Sequence, residues 1–347
     1  MKRQRSWAWG LVPAVALMVA GAWLVLPAMA ALRPSGAYAV DMVDLDAAAL
    51  GVRVAQQDAS GVRDLHVRLR YPPGAKGPWP ILLYFPGWPG DRHDNEGLLA
   101  DLASHGYLVA SVTYVREDRR LDGPMDFSTI PKAENFLWMA RNKVSLQARD
   151  ASAVLDAVLR LDAHDPANRF TGRLDTRHVG ILGFSFGGAV AAETCAHDPR
   201  FLAALNMDGW LFGDAASLSF TQPYFLISDD DTDPTPAQLE SADPSTRYTA
   251  ILSAHDFRQI RARLSRPGGY MITILNTQHE SFSDTPLHFG LRNPAMPGPI
   301  GAMRVSAITR RYAVAFFGQY LKGEPAPLLA SRVSPYPNVR MLLPAPG

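Results

Sequence analysis

The chain of 347 residues holds a single cysteine. A lone Cys195 excludes an intramolecular disulfide framework and a thiolate metal cluster, and it reads as a small core residue of a helix. An excess of charge of either sign is also missing. The formal net charge is +1, with basic and acidic residues interspersed. That argues against nucleic acid as a partner and gives no electrostatic case for binding anionic membranes. No internal repeat is visible, and nothing in the composition suggests a disordered or fibrous protein. What is present in quantity is apolar: 47% of the residues are hydrophobic. This suits one large α/β domain or two small ones.

The first thirty residues carry their own signal. Lys2, Arg3 and Arg5 precede an apolar run from about Trp7 to Leu26, followed by Pro27-Ala28-Met29-Ala30-Ala31. A basic head, an apolar middle and Ala-x-Ala predict a secretory signal peptide over 1–30, cleaved after Ala30. The alternative is a retained N-terminal membrane anchor, because the run approaches spanning length. Gly10, Pro13, Gly21 and the cleavage site favour removal. Either way the body, residues 31–347, is expected outside the cytoplasm, periplasmic or secreted, as a single domain with a Pro-rich tail over 324–347.

Along the body, strand and helix patterns alternate. Arg63–Tyr71 alternates as a half-exposed strand. Pro80–Phe85 and Tyr107–Tyr114 are apolar runs of the buried parallel kind. Asn95–His105 reads as a helix stopped by Gly106. Residues 116–143 break into charged, proline-containing and aromatic pieces, expected as an excursion over the active-site face. Ser145–Leu161 is an amphipathic helix. Strands are expected at Phe201–Met207, Pro223–Ser228 and, last, Tyr270–Asn276, with helices at Ala250–Leu264 and Val305–Leu321. The tail from Glu324 carries six prolines and is expected to lie extended over the surface. The pattern predicts an α/β fold, one mostly parallel sheet flanked by helices on both faces.

The chemistry centres on residues 178–193. An apolar strand runs into Gly183-Phe184-Ser185-Phe186-Gly187 and then an alanine-rich helix. A serine between glycines at a strand-to-helix turn presents its hydroxyl above the sheet, and the helix N-terminus favours negative charge developing there. The bland reading, an ordinary glycine turn, is weakened by these flanks. A serine nucleophile needs a base, and the base an orienting acid. Of nine histidines, His279 lies just after the last expected strand and is the candidate base, with His288 second. Two loops compete for the acid: Asp208, and the run Asp229-Asp230-Asp231. Strand order alone slightly favours Asp231 or Asp230. The run lacks the glycine and distant glutamate of an EF-hand, so no metal is expected. The first oxyanion donor is the amide of Phe186. The second comes from Pro86-Gly87-Trp88-Pro89-Gly90: the prolines have no N–H, and Trp88 is the best remaining candidate, with Gly87 letting the chain turn sharply.

Together, Asp101–Ala110, Gly183–Gly188, Leu205-Asn206-Met207-Asp208-Gly209-Trp210 and His279-Glu280-Ser281-Phe282-Ser283-Asp284 resemble the plasma-type platelet-activating-factor acetylhydrolase family. The resemblance runs from about Arg63 to Phe317. It implies a serine esterase on the α/β-hydrolase fold that needs neither calcium nor a cofactor and removes short or oxidised acyl chains from the sn-2 position of phospholipids. It also places the acid at Asp208, reversing the preference from strand order, and supports Trp88 as second donor. Two departures stand out: Pro86 and Phe184 occupy positions where the family commonly has histidine.

The reading that follows is an exported serine ester hydrolase acting through an acyl-enzyme on a small-molecule or phospholipid ester, with peripheral contact with lipid surfaces left open. Trp88, Phe136, Trp138, Trp210 and Phe282 are candidates for an apolar substrate wall, core packing being the equal alternative for each. The competing enzyme reading is a general short-chain carboxylesterase, cutinase-like or dienelactone-hydrolase-like, without phospholipid preference. A catalytically dead binding or envelope protein is the remaining class, and failure to react with a serine-directed phosphonate would single it out.

Overall fold

A computed structural model describes residues 33–46, 50, 64–88, 90, 94–116, 121, 123–217, 221–230, 233–264, 266, 268–289, 301–331 and 333–342. The expected signal segment lies outside them. Among the described residues there are nine strands: β1 Asp41–Asp46, β2 Asp64–Tyr71, β3 Trp79–Phe85, β4 Leu108–Arg116, β5 Leu174–Phe184, β6 Phe201–Met207, β7 Tyr224–Ser228, β8 Gly269–Ile274 and β9 Val339–Leu342. The helices are α1 Glu96–Ser104, α2 Ile130–Ala163, α3 Phe186–His197, α4 Pro236–Leu239, α5 Pro244–Leu264, α6 Thr285–Phe289, α7 Ala302–Lys322 and α8 Pro327–Ala330.

All nine strands join one sheet in the order β1-β2-β4-β3-β5-β6-β7-β8-β9. The six central strands β4 to β8 run parallel to one another, and antiparallel pairs close both edges. Parallel strands need both faces covered, which is why β3 and β7 are buried along their whole length. Alternate residues of β3 feed the two faces. Ile81, Leu83 and Phe85 pack with α2, α3 and the end of α5, while Leu82 and Tyr84 pack with α1 and α7. Cys195 is buried in α3. No helix among the described residues is long and apolar enough to cross a membrane.

Three expectations need correction. The expected excursion over 116–143 is in part helix, because α2 begins at Ile130 with proline in its first turn. Its inward face runs Ala133, Phe136, Met139, Ala140, Lys143, Val144 and Gln147. The helical period was hidden because Ile130 and Trp138 are apolar yet exposed, 43% and 54%, whereas Lys143 is charged yet buried. Next, Tyr270–Asn276 is not the last strand, and the tail is not simply extended. Between its prolines it forms α8 and then β9, which pairs antiparallel with β8 from Met271↔Leu342 to Ile274↔Val339. The four residues of β9 are free of proline and can complete a ladder. Finally, β1 adds an antiparallel edge strand beside β2 that the sequence reading had not identified.

Candidate active site

Ser185 sits between β5 and α3 with φ 53° and ψ −122°, a conformation that costs a non-glycine residue on the order of 1–3 kcal/mol. Its surroundings hold it there. The Ser185 amide donates to the carbonyl of Met207 at 2.8 Å, and the Ser185 carbonyl accepts from Gly188 at 2.9 Å. The flanking glycines are steric necessities. A Cβ at Gly183 would lie 2.1 Å from the Gly187 backbone, and one at Gly187 would lie 1.9 Å from the Phe85 carbonyl. The turn therefore packs backbone against backbone and leaves the hydroxyl free above the sheet.

Asp208 follows β6 in the left-handed region, at φ 58°. Its amide donates to Ile227 at 2.8 Å, continuing the ladder to β7. The bend is braced by Asn206, a fully buried residue. Asn206 accepts from the Gly209 amide and donates to the Gly209 carbonyl and the Tyr224 hydroxyl, each at 2.8 Å. The Asp208 carboxylate is thereby aimed: Oδ1 accepts from the Asp229 amide at 2.9 Å and Oδ2 from His279 Nδ1 at 2.7 Å. His279 opens a single turn, His279–Phe282, capped by reciprocal bonds between Gln278 and Ser281. With Nδ1 donating to Asp208, Nε2 accepts from the Ser185 hydroxyl at 2.8 Å. The ring of Phe184 lies 5.0 Å from the imidazole, an apolar shelf where the resemblance leads one to expect histidine. Burial disfavours a charged imidazole, but the bond and charge of Asp208, helped by Glu280 and Asp229, outweigh it and raise the His279 pKa. This chain of three groups can move a proton from a hydroxyl to an imidazole whose charge is neutralised behind it.

Asp230 does not enter this chain: it accepts from the Asn276 amide at 3.1 Å on an exposed loop. Asp231, the other candidate, lies outside the described residues. His288 falls on α6. The loop carrying Trp88 packs directly on the serine turn: a Cβ at Gly87 would stand 3.3 Å from the Ser185 Cβ. The Trp88 ring meets Phe186 edge-on at 5.2 Å and stacks on Phe136 at 5.9 Å. The Phe186 amide begins α3 and donates to none of the described residues. Beneath these rings the Lys143 ammonium lies 4.0 Å from the centre of Trp88, a favourable position over an aromatic face.

A cavity of about 790 Å³ opens over Ser185, Asp208 and His279. Trp88, Phe136 and Trp210 line it. Trp138 instead faces solvent, and Phe282 is buried in the core on the α7 side of the sheet. Asn206 and Lys143 had no assigned role in the sequence. The signal for Asn206 was a lone amide in an otherwise apolar strand, and nothing marked Lys143. Glu193, His197 and Asp214 lie close enough together to share an ion, but Glu193 is occupied in accepting from Ser145 and from the amides of Asp214 and Ala215.

The family model for platelet-activating factor acetylhydrolase, isoform II, matches residues 141–322. The chain belongs to that family. The match spans α2 to α7 and so contains Ser185, Asp208 and His279. Among curated members of the platelet-activating factor acetylhydrolase family, the Cavia porcellus enzyme is 22% identical over 271 residues, covering 70% of this chain and 58% of the relative. That from Bos taurus is 25% identical over 176 residues, 43% of this chain and 40% of the relative. The chain therefore spans less than two thirds of either relative. Among solved structures, a ferulic acid esterase from Streptomyces cinnamoneus superposes with a TM-score of 0.60 at 23% identity, covering 89% of this chain and 98% of that one. This likeness shows the α/β-hydrolase fold.

Proposed function

We propose that this member of the platelet-activating factor acetylhydrolase family is an exported serine ester hydrolase that works through an acyl-enzyme on short-acyl esters. One observation carries the reading: the unbroken relay Asp208–His279–Ser185, with heavy-atom separations of 2.7 and 2.8 Å, at the floor of the cavity. In this mechanism Ser185 Oγ attacks the ester carbonyl carbon as its proton passes to His279 Nε2. The amides of Phe186 and Trp88 receive the oxyanion, each donor contributing about 3–4 kcal/mol to the barrier reduction. Collapse of the intermediate expels the alcohol, which takes the proton from His279. Water then gives a proton to His279 and adds to the acyl carbon, and the second collapse frees the carboxylic acid and restores Ser185. No step calls for a metal or cofactor. Export rests on residues 1–30, where the basic head and Ala-x-Ala site carry the argument.

A second reading is favoured by the cavity itself. Among its described lining residues there is no lysine or arginine, while Asp229, Asp256 and Glu280 are acidic. A phosphodiester would find no countercharge there, so a neutral short-chain ester is the competing substrate. Hydrolysis of a short sn-2 acyl phospholipid, its long-chain counterpart and a p-nitrophenyl ester series, all without calcium, separates the two. Selective cleavage of the short-acyl phospholipid supports the acetylhydrolase activity, and cleavage of the simple esters alone supports the carboxylesterase. Retained activity in Ser185→Ala, or no labelling of the wild type by a serine-directed phosphonate, overturns both.

A further inference from the structure

The wall of the cavity opposite the aromatic cluster is supplied by α5. Ser253, Asp256, Phe257 and Ile260 recur at helical spacing and all line the cavity. Phe257 and Ile260 continue the apolar surface made by Trp210, Phe212 and Leu226, but Ser253 and Asp256 interrupt it. Both are 5% exposed. In an otherwise apolar wall, a hydroxyl and a carboxyl offer hydrogen-bonding atoms to whatever fills the cavity. Only part of that capacity is used within the chain. Asp256 Oδ2 accepts from the Leu211 amide at 3.0 Å, whereas Oδ1 lies 3.7 Å from His255 Nδ1, beyond hydrogen-bonding distance. The Ser253 hydroxyl has no hydrogen-bond partner among the described residues.

We propose that Ser253 and Asp256 form a polar anchor for a neutral hydroxyl group on the ester, so that the substrates are hydroxylated short esters. The proposal rests on the esterase reading above and narrows its substrate class. The fit is reciprocal: an alcohol O–H donates to Asp256 Oδ1 while its oxygen accepts from the Ser253 hydroxyl, so one group engages both residues at once. A carboxylate in the same place would face Asp256, Asp229 and Glu280 in one cavity. An ammonium would have to shed its water in surroundings apolar enough to lift the Asp256 carboxyl to about 6, burial outweighing the opposing pull of His255 and the Leu211 amide. A hydroxyl meets neither obstacle. Sites built to bond a hydroxyl discriminate strongly against analogues that lack it, because their own polar groups are then left unpaired.

The hydroxyl can reside on the acyl or the alcohol side, and two ester pairs distinguish these. One pair is methyl hexanoate and methyl ω-hydroxyhexanoate; the other is butyl acetate and hydroxybutyl acetate. Binding of each to Ser185→Ala is followed by the fluorescence of Trp88 and Trp210, which line the cavity. The hydroxylated member of one pair is expected to bind about tenfold more tightly. Adding Ser253→Ala, which removes one oxygen, should cut that preference to about threefold or less. Asp256→Asn, which keeps an acceptor for the Leu211 amide, should do the same. Equal binding within both pairs, or a preference that survives both substitutions, overturns the anchor. Hydrolysis of the same esters by the wild type is read separately. Turnover without preference sinks the anchor and leaves the esterase reading standing, whereas preferential binding without turnover does the reverse.

Discussion

Replacing Asp208 by asparagine alters one functional group and forces a choice between two hydrogen bonds. The carboxylate accepts from the Asp229 amide at 2.9 Å and from His279 Nδ1 at 2.7 Å. Asparagine offers one accepting side and one donating side. With its oxygen kept on the Asp229 amide, its NH₂ faces Nδ1. The imidazole must then carry its proton on Nε2, where it can no longer accept from Ser185. With the amide flipped, the NH₂ opposes the Asp229 N–H, and two crowded donors cost about 1–3 kcal/mol. The first arrangement is therefore preferred, and it holds the base in the wrong tautomer. In a relay of this kind that error costs about 10,000-fold in kcat, close to 5.5 kcal/mol of barrier. The assay is the steady-state hydrolysis of p-nitrophenyl acetate, with Asp230→Asn and Asp231→Asn alongside, both expected within about twofold of wild type. An Asp208→Asn rate within about tenfold of wild type, or a comparable collapse in Asp231→Asn, would refute the assignment of the acid.

Three further outcomes follow from the same geometry. Because His279 must be neutral to act as base and its pKa is raised by Asp208, kcat/KM should fall on the acid side with a midpoint above the ordinary histidine value of about 6.5; a midpoint below 6 in a pH–rate profile counts against it. Relief of the strained Ser185 backbone should make Ser185→Gly about 1 kcal/mol more stable than Ser185→Ala in urea unfolding, the strain outweighing the extra freedom of glycine in the unfolded chain. The Asp256 carboxyl titrates near 6 in place of 3.8, so its contribution to stability is fully present below about 3.8 and is lost as pH rises through 6. Asp256→Asn should then gain on the wild type by roughly 2 kcal/mol between pH 4 and pH 7, and parallel unfolding curves across that range would contradict the buried carboxyl.

The parts of the molecule that could be read in advance are those where local chemistry and fold coincide. The glycines around Ser185 announce a turn that only backbone contacts permit, and β3 and β7 are apolar because both faces are covered. Asp208 was harder to place. Strand order pointed to the next loop, and what aims Asp208 is a left-handed bend braced by Asn206 against β7, a contact between residues far apart in the chain. The resemblance pointed to Asp208 where periodicity did not. The first turns of α2 were hidden for a similar reason. Lys143 is buried there because an aromatic ring from another loop lies over it, and Trp138 is exposed because its side of the helix faces solvent. β1 and β9 are short edge strands with partners distant in sequence, so their own residues carry little of the signal.

Chain synthesis proceeds from the N-terminus, so β8 leaves the ribosome well before the segment that covers its outer edge. Until β9 follows, β8 presents a row of unpaired backbone groups, an invitation to pair with another chain. The tail does more than cover that edge: Asn338 accepts from the Leu275 amide at 2.8 Å, fastening the chain just ahead of the turn that carries His279. Ser185 and Asp208 belong to strands formed earlier, and the strand that leads to His279 is secured by residues made some sixty positions after it. A chain cut short of Val339 would keep Ser185, Asp208 and His279 and still leave the strand that leads to His279 open to a neighbour.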